Sequence, residues 1–218
     1  MEILEEGLLR LRQGDPHIDR LLAARFDEVL GLLNRYIEEI ELFNPAYGLV
    51  GAKDRRDLVV KHILDSLCPL GIVFRLLQGG GPVADVGSGA GLPGIPLAIA
   101  LGDCPFTLIE RMGRRAGFLR NTLAVLGLSH VTVEEGEMEK APAGRFSLIT
   151  LRAFRPLEPP ILKGLFRLLL PGGVLAAYKG RREKLAGELG ALPGGWEALP
   201  LDVPFLGEER HLLIIRPR

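Results

Sequence analysis

Cysteine is nearly absent: Cys68 and Cys104 are the only two in 218 residues, and there is a single tryptophan. Two thiols so far apart give neither a disulfide framework nor metal-ligand spacing. A small secreted scaffold and a zinc module are therefore not expected, and no metal is. No run reaches 18 consecutive apolar residues, so no membrane-spanning helix is expected. The acidic start MEILEEGLLR lacks the basic head and apolar stretch of a signal peptide. Net charge is also missing, with 27 basic against 27 acidic residues, which argues against a surface coated in basic groups. What is present is 47% hydrophobic content, enough for a real core and too much for a disordered chain. These features describe a cytoplasmic protein with one ordinary domain and an appendage.

The charge is unevenly spread. Residues 111–120 hold four arginines and no acid, and Lys179, Arg181, Arg182 and Lys184 form a second island around Glu183. Either island suits phosphate contact or an ordinary solvated face. Leu22, Phe26, Val29, Leu33, Ile37 and Ile40 recur at helical spacing, with a break expected at Asn44-Pro45 and Gly48. Further helices are expected from about Asp57 to Ser66 and over Val73–Leu77. After Gly79-Gly80-Gly81-Pro82 the pattern changes to strands at Val83–Val86, Phe106–Ile109, Val131–Val133, Phe146–Leu151 and Val174–Tyr178. Helices at Leu92–Leu101, Met112–Leu126 and Leu157–Leu170 lie between them, the last stopped by Pro171-Gly172-Gly173. Trp196–Val203 and His211–Arg216 finish as an antiparallel hairpin. Such alternation predicts an α/β fold with a mostly parallel seven-stranded sheet. The division expected is a helical extension over 1–78 and a ligand-binding domain over 79–218.

The segment Asp85-Val86-Gly87-Ser88-Gly89-Ala90-Gly91-Leu92 follows the first of these strands. Its glycines allow a tight turn and close approach of a ligand to backbone. A dinucleotide fingerprint needs its third glycine at position 92, where this chain has leucine, so the pyrophosphate loses its seat. An acid two residues before G-x-G-x-G is instead the pattern of the class I S-adenosylmethionine fold, Rossmann-like in form. Asp85 is then expected near the cationic methionine end of that cofactor. Glu110, at the end of the second strand, is placed to accept both ribose hydroxyls, a role that NAD would also permit.

Absences narrow the acceptor. The fourth strand leads into Arg152-Ala153-Phe154-Arg155 rather than the D/N-P-P-Y/F loop of enzymes acting on exocyclic amines. Neither cysteine is placed to serve as the nucleophile of a C5-pyrimidine enzyme. None of the histidines, His17, His62, His130 and His211, falls in the glycine loop or directly after the fourth strand. The target is therefore an atom that already owns a free lone pair, and no catalytic base is expected.

Asn44, the run His62-Ile63-Leu64-Asp65-Ser66-Leu67, the loop DVGSGAGLPGIP from Asp85 to Pro96, Gly113-Arg114-Arg115 before Phe118-Leu119, and Arg152-Ala153-Phe154 resemble the 16S ribosomal RNA 7-methylguanosine methyltransferases. The resemblance covers roughly residues 20–180. It implies transfer of a methyl group from S-adenosyl-L-methionine to N7 of a guanine, with 16S rRNA or the small ribosomal subunit as partner; a monomer is expected. It also implies cofactor contacts from Gly87, Gly89 and Leu92, from Glu110, from Met138 and Glu139, and from Arg152. Candidate RNA contacts are Asn44, Arg114, Arg115, Arg155, Lys179, Arg181 and Arg182. Two departures stand out: Gly48-Leu49-Val50 replaces a usual N-L-T, and Glu110-Arg111 replaces Asp-Ser. The alternatives are a methyltransferase of the same fold acting on a small molecule or protein, and a non-enzymatic RNA- or ribosome-binding module. His62 and Asp65, at i and i+3, are read as structural partners of one another.

Overall fold

The computed structural model describes residues 2–77, 80–180 and 195–217. Seven strands form one sheet in the order β3-β2-β1-β4-β5-β7-β6. They are β1 (Val83–Val86), β2 (Phe106–Glu110), β3 (Val131–Glu135), β4 (Phe146–Arg152), β5 (Leu169–Lys179), β6 (Trp196–Leu201) and β7 (Arg210–Ile215). The first five run parallel, whereas β7 lies antiparallel to β5 and β6 antiparallel to β7. Sequence and structure agree on every strand core, and on the closing hairpin.

Alternation along the strands divides the core in two. Leu148, Val174, Ala176 and Leu212 join the cluster on one face, while Ile149, Leu175, Ala177 and Leu213 join that on the other. A strand buried on both faces reads as a nearly continuous apolar run, as β5 does from Val174 to Ala177. The first face packs against α7 (Gly94–Leu101) and α8 (Gly113–Leu126), and the second against α9 (Pro159–Leu168).

Among the described residues six helices precede the sheet: α1 (Ile3–Gly14), α2 (Pro16–Leu22), α3 (Phe26–Tyr47), α4 (Arg55–Leu58), α5 (Asp65–Leu67) and α6 (Leu70–Leu76). Their apolar stripes, from Leu4 and Leu8 through Ile37 and Ile40 to Leu70, belong to the same cluster as the first sheet face. The extension thus shares the core of the sheet. Asp15 caps α2 by accepting from the His17 amide, and Pro16 occupies the first turn, where no hydrogen bond is lost.

Three boundaries differ from expectation. The break at Asn44-Pro45 does not occur: Pro45 lies inside the last turn of α3, which ends at Gly48 with φ of 57°. Proline removes the amide that would pair with the carbonyl four residues back, yet the helix continues to Tyr47 and the left-handed glycine then closes it. Pro171-Gly172-Gly173 does not stop a helix either. α9 has already ended at Leu168, and those residues bulge within β5, whose register against β4 shifts between Phe146 and Leu148. The helix expected over 57–66 is a compound one, in which α4 passes through a π-helical segment (Val59–Leu64) into α5. Such wide turns recur at functional sites. Here the segment points toward the carboxyl end of β4.

Candidate active site

The loop after β1 is held from below. Asp85 is 1% exposed, and its Oδ2 accepts from Ser88 Oγ (2.6 Å) and the Gly94 amide (3.1 Å). Its Oδ1 accepts from Thr150 Oγ1 at 3.2 Å. Burial pushes this carboxyl up to about 6, against the opposing hydrogen bonds. Asp85 therefore does not sit on the ligand wall as expected; it ties the glycine loop to α7 and β4. Tyr36 of α3 ties the same loop from the extension, its hydroxyl donating to the Ala90 carbonyl at 2.8 Å. Leu92 is buried in the core and Gly89 faces Glu110 through its amide, so neither lines the open pocket.

Glu110 ends β2 at 4% exposure. Its Oε2 accepts from the Gly89 amide and its Oε1 from the Met112 amide, both at 2.8 Å. These two backbone donors, rather than the neighbouring arginines, fix its rotamer. A carboxylate offers about four acceptor positions, so two remain for a vicinal diol. Glu110 lies on the wall of a pocket of about 430 Å³ with Gly87, Arg115, Met138, Glu139 and Arg155. Met138 and Glu139 come from a short 3₁₀ turn (Met138–Lys140) after β3. Arg155 pairs with Glu139 at 2.9 Å. Gly87 has φ of +70°, and a Cβ there would meet the Phe154 ring at 2.6 Å. Glycine is required at that position on both counts.

A second pocket of about 490 Å³ adjoins the first, and Ala153 and Phe154 line both. Arg152 faces this second space rather than the cofactor wall. Its Nη1 lies 3.0 Å from Asp65 Oδ2, and it also donates to the Lys61 carbonyl and toward His62 Nδ1 (3.2 Å). His62 and Asp65 therefore meet on Arg152 rather than on each other. Arg210 of β7 approaches the other Asp65 oxygen at 3.2 Å. Burial, then the Arg152 charge, lowers the His62 pKa from its ordinary value. His62 Nε2 lies 3.4 Å from the Gly51 carbonyl, so both ring nitrogens are engaged. His211 Nδ1 lies 3.0 Å from the Gly180 carbonyl.

The remaining candidates divide. Asn44 commits its amide inward: Oδ1 accepts from the Leu49 and Val50 amides, and Nδ2 donates to the Val50 carbonyl. Since these bonds are to backbone, Gly48-Leu49-Val50 is held whatever its side chains. Arg114 turns to the extension, lying over the Tyr47 ring and donating to the Tyr47 carbonyl. Arg115 and Arg155 face the first pocket and Lys179 the second. Arg181 and Arg182 lie outside the described residues. Sequence reasoning missed Phe154, Arg210 and His211 as pocket residues. The RAF segment had signalled the first, but nothing local marks the other two.

A glycine loop after β1, a bidentate acid at the end of β2 and this sheet order define an S-adenosylmethionine-dependent methyltransferase. Solved structures show the same fold. A SAM-dependent methyltransferase from Aquifex aeolicus superposes with a TM-score of 0.54 at 22% identity, covering 70% of this chain and 92% of that one. A precorrin-6y C5,15-methyltransferase from Geobacter metallireducens does so at 0.52 and 14%, covering 68% and 87%. Within that class the chain belongs to the GidB family, rRNA small subunit methyltransferase G, whose family model matches residues 30–213. Curated relatives named ribosomal RNA small subunit methyltransferase G include one from Treponema denticola, 40% identical over 215 residues and covering 84% of this chain and 85% of that protein. Another, from Stenotrophomonas maltophilia, is 40% identical and covers 97% and 92%. S-adenosylmethionine is accordingly the cofactor, and the first pocket offers the groups to hold it. Among the described residues no helix is long and apolar enough to cross a membrane, and no cluster of three metal-ligating side chains occurs.

Proposed function

We propose that this protein methylates N7 of a guanine in 16S ribosomal RNA, acting as a cytoplasmic monomer. The observation that carries the reading is membership of a family named for the small-subunit RNA, together with a β4 end built around Arg152 rather than a base. We further propose that residues 1–78 form an extension serving the domain over 79–218, since Tyr36 and Asp65 reach the loop and the β4 end from it.

S-adenosylmethionine supplies an electrophilic methyl group. Guanine N7 carries an in-plane lone pair and no proton near neutrality, so it would take that methyl as the methyl–sulfur bond breaks and the neutral thioether leaves, with no proton to be moved. The protein's task is to hold the two in line, a proximity and orientation effect. Glu110 would anchor the ribose and the 138–139 turn would close one side, while the Asp85 lattice keeps the loop from shifting. His62 and His211 both line the neighbouring pocket. His62 is committed on both ring nitrogens, consistent with a structural part.

The test is to incubate the protein with labelled cofactor and ribosomal RNA from cells lacking this enzyme, then map the modified base. Label at N7 of one guanine in the small-subunit RNA is expected. Label in protein, or only in a small molecule, would end the RNA reading in favour of another acceptor on the same fold.

A further inference from the structure

Among the described residues two that carry side chains have positive φ, Phe205 at 67° and Ala153 at 49°. That region is disfavoured for any residue with a Cβ. The two differ in what compensates them. Phe205 has a large ring that Arg10 and Arg56 approach, the nearer guanidinium 4.3 Å from its centroid. Ala153 has one methyl group, and the residue is exposed, so its own packing cannot offset the strain. Its neighbours impose the conformation. On one side Arg152 is tied to Asp65 and to the Lys61 carbonyl. On the other, the Phe154 ring lies against Gly87, Arg155 pairs with Glu139, and Leu157 is buried. Backbone strain persists only where the surroundings over-determine it, and it collects at functional sites.

The strain produces a sharp turn at the end of β4. An extended residue 153 would carry the chain onward along the strand direction. The left-handed one turns it, so that Arg152 faces the second pocket while Phe154 folds over the glycine loop. Ala153 and Phe154 line both pockets, which makes the Phe154 ring the partition between the cofactor space and its neighbour. We propose that Ala153 is a positioning residue for the cofactor, its left-handed backbone holding the Phe154 ring as a fixed wall beside Gly87. Glycine would take this φ without strain, but would leave it as readily. With both flanks anchored, the alanine methyl closes off the alternative conformations that glycine would open. The wall is then in place before the ligand arrives, which spares the ordering that binding would otherwise require. The inference rests on the cofactor class, which family membership gives, and not on the base that accepts the methyl group.

The test is Ala153→Gly, whose two effects should have opposite signs. Relief of left-handed backbone at an exposed site should leave the midpoint of urea unfolding at or above that of wild type. Affinity for S-adenosylmethionine by calorimetry should nonetheless fall about two- to fivefold, the population effect of glycine's additional backbone freedom. In turnover with unmethylated ribosomal RNA the same factor should appear in the KM for cofactor, with kcat kept. Ala153→Asn, a residue that tolerates the left-handed region, should bind the cofactor as wild type does. Because Ala153 acts through the ring, glycine at 153 should cost no further affinity in a Phe154→Ala background. A less stable Ala153→Gly protein overturns the proposal, since the alanine would then carry no strain. Unchanged cofactor affinity in Ala153→Gly overturns it as well. So does full additivity with Phe154→Ala, which would leave the ring out of the effect.

Discussion

Replacing Asp85 by asparagine separates the cost of a buried charge from the worth of the lattice around it. The substitution is nearly isosteric. The asparagine Oδ1 can take the place that receives Ser88 Oγ and the Gly94 amide, and its Nδ2 can donate to Thr150 Oγ1, whose own hydroxyl is within 3.3 Å of the Ala84 carbonyl. Every hydrogen bond is therefore retained in kind, and the charge alone disappears. Burial holds the folded-state pKa at about 6 against an ordinary 3.8. A carboxyl whose folded pKa is raised binds its proton more tightly in the folded than in the unfolded chain. The folded state thus carries the extra proton between about pH 4 and 6, and wild-type stability falls as pH rises through that window. Moving the titration from 3.8 to about 6 corresponds to about 3 kcal/mol. The stability of Asp85→Asn minus that of wild type should therefore increase by up to about 3 kcal/mol from pH 4 to pH 7, then level off. Urea unfolding of both proteins across that range measures the difference, in which the other carboxylates cancel. A difference independent of pH, or one that shrinks as pH rises, would show that Asp85 is not ionised against its burial.

Glu110→Ala should weaken cofactor binding at least tenfold by calorimetry, because hydrogen bonds to a charged acceptor contribute roughly 1.5–3 kcal/mol each and the Gly89 and Met112 amides lose their partner too. Unchanged affinity in a folded variant would remove Glu110 from the site. Arg152→Ala should cost roughly 3–5 kcal/mol of folding stability, since the 4%-exposed Asp65 loses a partner. The loss should be less than additive with Asp65→Ala, and strict additivity in denaturant melts would deny the pairing. RNA affinity should fall with added salt, and deleting both Arg181 and Arg182 should lower the slope by about one for each phosphate no longer neutralised, with cofactor affinity unaltered; filter binding at graded salt reads both. Single-turnover methyl transfer should be nearly flat from about pH 6 to 9 in wild type and in His211→Gln, given an acceptor without a proton. A steep limb abolished in the variant would identify a base.

Strands were legible because parallel strands buried on both faces are mostly apolar, and Val83–Val86 and Phe106–Glu110 are so apart from Asp85, Thr107 and Glu110. Glycine and the closing acid were legible because their spacing is local: loop and Glu110 belong to one strand–helix–strand unit. Helix limits were less so. Pro45 reads as a breaker by propensity, yet the helix absorbs its missing amide for the two residues that follow, and the left-handed Gly48 decides the end. Leu169 and Leu170 continue the helical stripe of α9, while the pull of pairing with Phe146 turns them into β5. Asp85 was misplaced for a different reason. An acid before G-x-G-x-G is visible in the sequence, but which way it points depends on Thr150, sixty-five positions later.

The second pocket shows where local reading has to stop. Asp65, Arg152 and Arg210 come from a helical turn and from two strands, and no window of sequence holds more than one of them. Their meeting follows from the sheet order, which sets β5 beside both β4 and β7, and from the π turn that carries His62 and Asp65 over the β4 end. The consequence is electrostatic. The cofactor pocket balances Arg111, Arg115 and Arg155 against Glu110, Glu137 and Glu139, so a sulfonium entering there meets no net repulsion. The cations of the neighbouring pocket are held by carboxylates of their own, Lys61 by Asp57, Arg152 by Asp65, and Arg210 by Asp65 and Glu208, so that space too is close to balanced, and its charges serve first to fix the β4 end against the extension.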